Sequence, residues 1–326
     1  MKLPHRRQFL HLAAGAAVLP GVSQIARARA YPSRPVRLIV GFSPGGSADV
    51  TARVIGQWLS ERLGQQFVVE NRPVAGGNLA TEAVINAPAD GHTLLLINTA
   101  NAINASLYDR LTFDFIRAVA AVAGISQEPL VMEINPSVPA KTVPELIAYA
   151  KANPAKINMG SGGNGTALHV AGELFKMMAG VNMVHVPYRG GAPALTDLLS
   201  GQIQLLFGSM AFSREHIRAG RLRALAVTTP VRAEALPSVP TLAEFLPGYE
   251  ASNWFGVGAP RATPASIIER LNKEINAALA DAKLKARLSD MGSTVLPGSP
   301  VDFEKFITDE TEKWGKVVRA ANIKAE

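Results

Sequence analysis

The sequence predicts an α/β protein of two lobes, each a mainly parallel sheet flanked by helices. Three observations predict it. Apolar strand-like runs alternate with helix-like runs in β-α-β-α-β order, which implies right-handed parallel crossovers. The same grammar occurs twice. Proline-marked stretches at 129–144 and 237–260 separate the two occurrences, reading as an outbound crossing and a returning linker. One lobe is then built from both chain ends (31–130 with 250–326) and the other (131–249) is inserted, a hinged plan suited to closing on a ligand.

Residues 1–30 read as an export signal rather than as fold. Lys2, Arg6 and Arg7 give a basic start, Leu10 to Val22 is apolar, and Ala28-Arg29-Ala30 has the small-x-small cleavage form, so the mature chain begins at Tyr31. Arg6-Arg7-Gln8-Phe9-Leu10 fits a twin-arginine signal, with the Sec route left open. The apolar stretch falls short of the ~20 residues of a membrane span. Five of the 33 basic residues and none of the 26 acidic ones lie in this segment, leaving 28 against 26. The mature chain is therefore close to neutral, and no basic tract points to nucleic acid. Removing 30 of 326 residues leaves 296, enough for two domains. The chain has no cysteine, which excludes disulfides and thiolate chemistry.

In the first lobe, Val36 to Val40 reads as a buried strand. Asp49 to Leu63 reads as a helix stopped by Gly64. Phe67 to Glu70 is a second strand, Asn78 to Ala87 a helix ended by Pro88, and Thr93 to Ile97 a third strand. In the second lobe, Val143 to Lys151 is helical and Lys156 to Met159 a strand. Thr166 to Ala179 is a helix, Met183 to Pro187 a strand and Pro193 to Ser200 a helix; Ile203 to Phe207 and Leu222 to Val227 are strands. The final third reads as mostly helical. Ile267, Leu271, Ile275 and Leu279 form one apolar stripe; Phe303, Phe306, Ile307, Trp314 and Val317 form another.

Two glycine-rich turns carry the functional signal: Phe42-Ser43-Pro44-Gly45-Gly46-Ser47 and Gly160-Ser161-Gly162-Gly163-Asn164-Gly165-Thr166. Each follows a strand and opens a helix, where unpartnered N–H groups and the helix dipole favour an anion. Two such cradles on separate lobes predict a carboxylate gripped from both sides. Its oxygens would accept from the N–H groups of Gly45, Gly46 and the 162–166 loop, helped by the hydroxyls of Ser43, Ser161 and Thr166. Phe42 and Tyr188 would pack on its carbon skeleton, and Arg189 is the candidate charged contact. Asp49 would cap its helix or bond the first turn. His169, one turn into the second helix, would support the loop or touch ligand. The Gly76-Gly77 turn reads as structural.

Two other motifs overlap these turns. Gly41-Phe42-Ser43-Pro44-Gly45 matches the nucleophile elbow of an exported hydrolase, but Pro44 has no N–H for an oxyanion hole. Gly160-x-Gly162-x-x-Gly165 matches a dinucleotide fingerprint, but the next strand ends Val186-Pro187-Tyr188-Arg189 without the ribose-binding acid; Arg189 would have to meet an NADP phosphate. His92, His169, His185 and His216 show no metal-ligand spacing. No cofactor and no metal are expected.

The chain resembles the solute-binding proteins of tripartite tricarboxylate transporters, the Bug family. The carriers are Phe42-Ser43-Pro44-Gly45-Gly46 with Asp49, Glu70-Asn71-Arg72-Pro73 before Gly76-Gly77, and Asn98 to Asn104 with Leu107-Tyr108. Gly160 to Thr166 with His169, Val186 to Gly191, Asp197 to Gly201, Leu236 to Thr241 and Trp254-Phe255-Gly256 complete them. Their joint order is specific and spans the mature chain. The resemblance implies a periplasmic binding protein of Venus-flytrap form, type II-like. It would be monomeric and without catalysis, delivering carboxylates to integral-membrane permease subunits or serving a signalling receptor. Carried over, it nominates the two cradles plus a third loop of Asn98, Thr99, Ala100 and Asn101. The family often has Ser-Thr-His where this chain has Thr99-Ala100-Asn101, which leaves the ligand open.

Overall fold

The computed structural model describes residues 31–325 apart from 74 and 109, and only the backbone of Ala75. The predicted export signal lies outside the described residues.

The first unit runs β1 (Val36–Val40), α1 (Ser47–Leu63), β2 (Phe67–Asn71), α2 (Asn78–Ile85), β3 (Thr93–Asn98). Alternation along β1 builds two layers. Val36, Leu38 and Val40 pack with Ala52, Ile55 and Leu59 of α1. Ile39 packs on the other side with Ala80 and Val84 of α2. Each Val, Leu or Ile side chain among them contributes about 1.5–3 kcal/mol on burial. Helices α3 (Thr99–Leu107) and α4 (Phe115–Ala118) then lead into β4 (Val119–Ile134), a 16-residue strand.

The second unit comprises α5 (Val143–Ala152), β5 (Asn158–Ser161), α6 (Ala167–Ala179) and β6 (Val184–Pro187). It continues with α7 (Gly191–Ser200), β7 (Leu205–Ser209), α8 (Met210–Arg218) and β8 (Arg223–Val227). The chain returns through β9 (Ser252–Pro260) and ends with α9 (Ala265–Ala280), α10 (Ala282–Asp290), β10 (Thr294–Val295) and α11 (Pro300–Ala320). α11 is held on β9 by Glu310, whose Oε2 accepts from Trp254 Nε1 and Trp314 Nε1, each at 2.8 Å.

Strand order is β2-β1-β3-β9-β4-β7-β5-β6, with β8 and β10 also pairing β4. Parallel pairs occur in both units, β1 with β2 and β3, and β5 with β6 and β7. The sheets are mixed because β9 runs antiparallel to β3 and β4, and β4 antiparallel to β7 and β8. The outbound crossing expected from Pro129 is made inside β4. Pro129 still faces Ser252 of β9, and Leu130 already faces Ser209 of β7. The return path meets it there: Thr228 Oγ1 accepts from Leu130 N–H at 2.9 Å, and Ala251 N–H donates to Thr228 O at 3.0 Å.

The expectation of a linker across 237–260 needs correction, since its last nine residues are the buried strand β9. Gly256 and Gly258 look like loop residues but are demanded by packing. A Cβ on Gly256 would sit 2.1 Å from Phe303 Cζ, and one on Gly258 2.6 Å from Ile97 Cδ1.

Candidate functional site

β1 delivers the chain to the first turn and α1 begins at Ser47. Gly45 adopts φ +83° and its N–H donates to Asp49 Oδ2 at 2.9 Å. Asp49 is buried and its carboxylate also accepts from Arg53 Nε at 2.9 Å. Burial alone would raise this carboxyl; the Arg53 side chain, the Gly45 N–H and Asn71 together hold it below the usual range. Asn71 Nδ2 donates to Phe42 O at 3.0 Å. Ser43 and Pro44 are exposed, and no described residue bonds the Ser43 hydroxyl.

The second turn uses the same device. Gly165, at φ +73°, donates its N–H to His169 Nδ1 at 3.2 Å, again a side chain four residues on in the first turn of a helix. Ser161 Oγ accepts from Gly163 N–H at 3.1 Å. Gly163 O accepts from Thr166 Oγ1 at 2.8 Å, and Thr166 caps α6 through His169 N–H. The expected donors therefore need correction. The N–H groups of Gly45, Gly163 and Gly165 and the hydroxyls of Ser161 and Thr166 are bonded within the turns. A glycine N–H just before a helix finds the nearest acceptor on that helix's first turn.

The third expected loop is also different. Asn98 caps α3, and Thr99, Ala100 and Asn101 are the first turn of that helix. Asn98 Oδ1 accepts from Ala100 N–H at 3.0 Å and Asn101 Oδ1 from Asn98 N–H at 2.9 Å. Asn101 Nδ2 donates to Thr81, and Thr99 Oγ1 accepts from Trp254 N–H at 3.0 Å. All four residues are buried. The side chain of Asn101 ties α3 to α2 and that of Thr99 ties it to β9, while Asn98 caps the helix itself.

The second glycine turn packs on α3, and the Gly76-Gly77 turn joins that helix to the first turn. A Cβ on Gly165 would lie 2.1 Å from Leu107 Cδ2 and 3.7 Å from Asn104 Oδ1, so the second turn sits directly on that helix. Asn104 Nδ2 in turn donates to Gly76 O at 3.0 Å and Asn78 Oδ1 at 2.8 Å. A Cβ on Gly77 would be 3.6 Å from Gly41 Cα and from Phe42 Cε2. The Gly76-Gly77 turn thus bridges the other two. Asn104 and Asn78 were not singled out by sequence, although Asn104 lies within a family-like segment.

At the rim, Tyr188 N–H donates to Ser161 O at 3.1 Å and Gly190 N–H to Gly162 O at 3.1 Å, which ties the 188–190 segment to the second turn. Tyr188 OH donates to Asp197 at 2.7 Å; burial and that carboxylate push its hydroxyl up to about 12. Arg189 is exposed with no ion pair among the described residues. Another residue missed by sequence is Glu128 of β4, wholly buried beside the starts of α1 and α8. The Ser209 hydroxyl donates to it, and the Ala211 N–H, Asn253 and Ser47 also hydrogen-bond it. Burial nevertheless raises its carboxyl.

The model of the tripartite tricarboxylate transporter family receptor matches residues 51–323. The chain belongs to the tripartite tricarboxylate transporter receptor family. BugT of Bordetella pertussis is 38% identical to this receptor over 93% of the chain and 94% of BugT, so the resemblance to Bug proteins holds. A solved R. palustris protein with adipate is 38% identical, with a TM-score of 0.84 over 90% of this chain and 99% of that one. MatC of Rhodopseudomonas palustris with bound malate is 29% identical, with a TM-score of 0.80 over 88% and 100%. The receptor shares their two-lobed α/β architecture. Among its described residues no helix is long and apolar enough to cross a membrane, and no group of three His, Cys, Asp or Glu is placed to hold a metal ion.

Proposed function

We propose that this receptor is a periplasmic solute-binding protein that closes on a small organic carboxylate and hands it to membrane permease subunits. The lobes we assign are 31–130 with 250–326, and 131–249. The observation that supports the reading is the seating of Gly165 on Asn104 and Leu107 of α3, the helix whose Asn104 also bonds the Gly76-Gly77 turn beside Phe42. Adipate and malate in two relatives make a carboxylate the ligand class of choice.

The donors assigned to the ligand are those that the turns do not use themselves. They are the N–H groups at the start of α1 (Gly46 and Ser47), the N–H groups at the start of α6 (Ala167 and Leu168), the Gly162 N–H and the Ser43 hydroxyl. Both helix dipoles add to them. Arg189 supplies charge at the rim. Gly45, Asp49, Gly163, Asn164, Gly165, Thr166 and His169 shape the cradles, and Asn98 to Asn101 fix the wall. Neutral donors suit a protein that must release its cargo, since a buried ion pair costs more desolvation. Ligand engages both cradles only when the lobes are closed, so it shifts the population toward closure.

The reading includes export as a monomer through the N-terminal signal, cleaved near Ala30, and no catalysis. Calorimetry and thermal shift against mono-, di- and tricarboxylates test it. Binding of at least one acid, lost with Gly46→Pro, is expected; binding of none rejects it. N-terminal sequencing of the exported chain tests the cleavage site.

A further inference from the structure

Behind the second turn the rings of His169 and His185 are stacked, with centroids 3.7 Å apart and planes within 7°. His169 comes from the first turn of α6 and His185 from β6. His169 Nδ1 accepts the Gly165 N–H, and His185 Nε2 lies 2.7 Å from Ser161 Oγ. Ser161 Oγ in turn receives the Gly163 N–H. The charged groups around the pair are Glu173, with Oε1 3.7 Å from His169 Nε2, and Lys176, which bonds Glu173 at 2.8 Å.

The backbone donor dictates the protonation state. An amide N–H cannot become an acceptor, so His169 Nδ1 must carry no proton, and the neutral ring bears its proton on Nε2, facing Glu173. Two rings in face contact resist holding two charges. Burial, and then the charge of His169, push His185 down to about 4. A proton on His169 Nδ1 would point at the Gly165 N–H and remove the one acceptor which that group has among the described residues.

We propose that His169 and His185 are positioning residues of the second turn, which hold Gly165 and Ser161 in carboxylate-receiving geometry only while the stacked pair is uncharged. This rests on the carboxylate reading above. Neither ring is assigned a ligand contact; the pair acts through the turn. Acidification then loosens the cradle even though it adds positive charge nearby.

The test uses the mature chain with adipate and malate as probes. Calorimetry from pH 7.5 to 5 compares wild type with His169→Asn, whose amide oxygen takes the place of Nδ1 and does not titrate. Ligand ionisation affects both proteins alike and cancels in the ratio. The wild-type affinity relative to H169N is expected to fall roughly three- to tenfold on acidification, the worth of one hydrogen bond. A constant ratio, or a rise, overturns the proposal. The ligand-free protein gives an independent readout: the Gly165 amide NMR signal should titrate, and its hydrogen exchange accelerate, in wild type alone. A Gly165 amide indifferent to pH overturns the proposal whatever the ligand result. Failure of every acid to bind, with that titration present, rejects the carboxylate reading and leaves the histidine role standing. Should H169N not fold, the wild-type amide titration decides.

Discussion

Ser209 donates its hydroxyl to Glu128, and this bond ties the start of α8 to the strand that both sheets share. Glu128 faces Asn253 of β9, two residues before β4 takes up β7. Its carboxyl also bonds Ser47, so the starts of α1 and α8 meet on one buried acid.

Ser209→Ala should cost about 1–3 kcal/mol, because it leaves a buried carboxyl short of a donor. Urea denaturation would show a lower midpoint with an unchanged slope. Ser43→Ala, on an exposed turn, should change stability by less than about 0.5 kcal/mol.

Gly165→Ala should lose stability and carboxylate affinity together. A left-handed φ costs a non-glycine residue about 1–2 kcal/mol, and the new methyl meets Leu107 Cδ2. Adding Leu107→Ala should relieve the clash but not the backbone strain, so a double-mutant cycle would return a nonzero coupling.

Asp49→Asn should separate shape from charge. The amide oxygen still accepts the Gly45 N–H, while the pairing with exposed Arg53 is lost, at a cost of about 0–1 kcal/mol. Asp49→Ala removes both and should weaken carboxylate binding far more than Asn does. Calorimetry on the two variants reads the difference.

Stability should fall as pH rises from 6.5 to 8. Burial pushes Glu133 up to about 8, with Ser213 its one donor among the described residues. The native state then holds a proton that the unfolded chain has released, so stability is full below the unfolded carboxyl value and lost upward through about 8. The depressed His185 works the other way: its contribution is present above the unfolded histidine value and lost on acidification toward about 4. The two slopes oppose each other between about pH 4.5 and 6.5, leaving Glu133 dominant above. Glu133→Gln should flatten the alkaline decline, worth roughly 2 kcal/mol between pH 6.5 and 8. Urea midpoints at pH 5, 6.5 and 8 check it.

The first unit was legible because β1 and β3 are short apolar runs and Gly64 ends α1 with a left-handed cap. β9 was not, because Gly256, Gly258 and Pro260 imitate a loop; their smallness answers Phe303 and Ile97, far away in sequence. β4 hid for a related reason, as Gly124 and Pro129 interrupt its pattern while Gly124 receives Leu296 against its backbone. The glycine turns of the site announced themselves by spacing. Their internal acceptors were readable too, since Asp49 and His169 stand at the same offset from Gly45 and Gly165. Glu128 gave no local signal: a lone acid in a strand reveals its partners only once distant helix starts assemble around it.

β4 has a consequence for how the molecule comes apart. Because a single run of backbone, Val119–Ile134, completes both halves, neither half is self-sufficient. Severing the chain at Pro129 would part β9 from both its neighbours, β3 and the Val119–Pro129 stretch of β4, exposing raw edges that invite pairing with other chains. The receptor should accordingly melt in one calorimetric transition despite its bipartite outline, and fragments divided there should aggregate rather than fold.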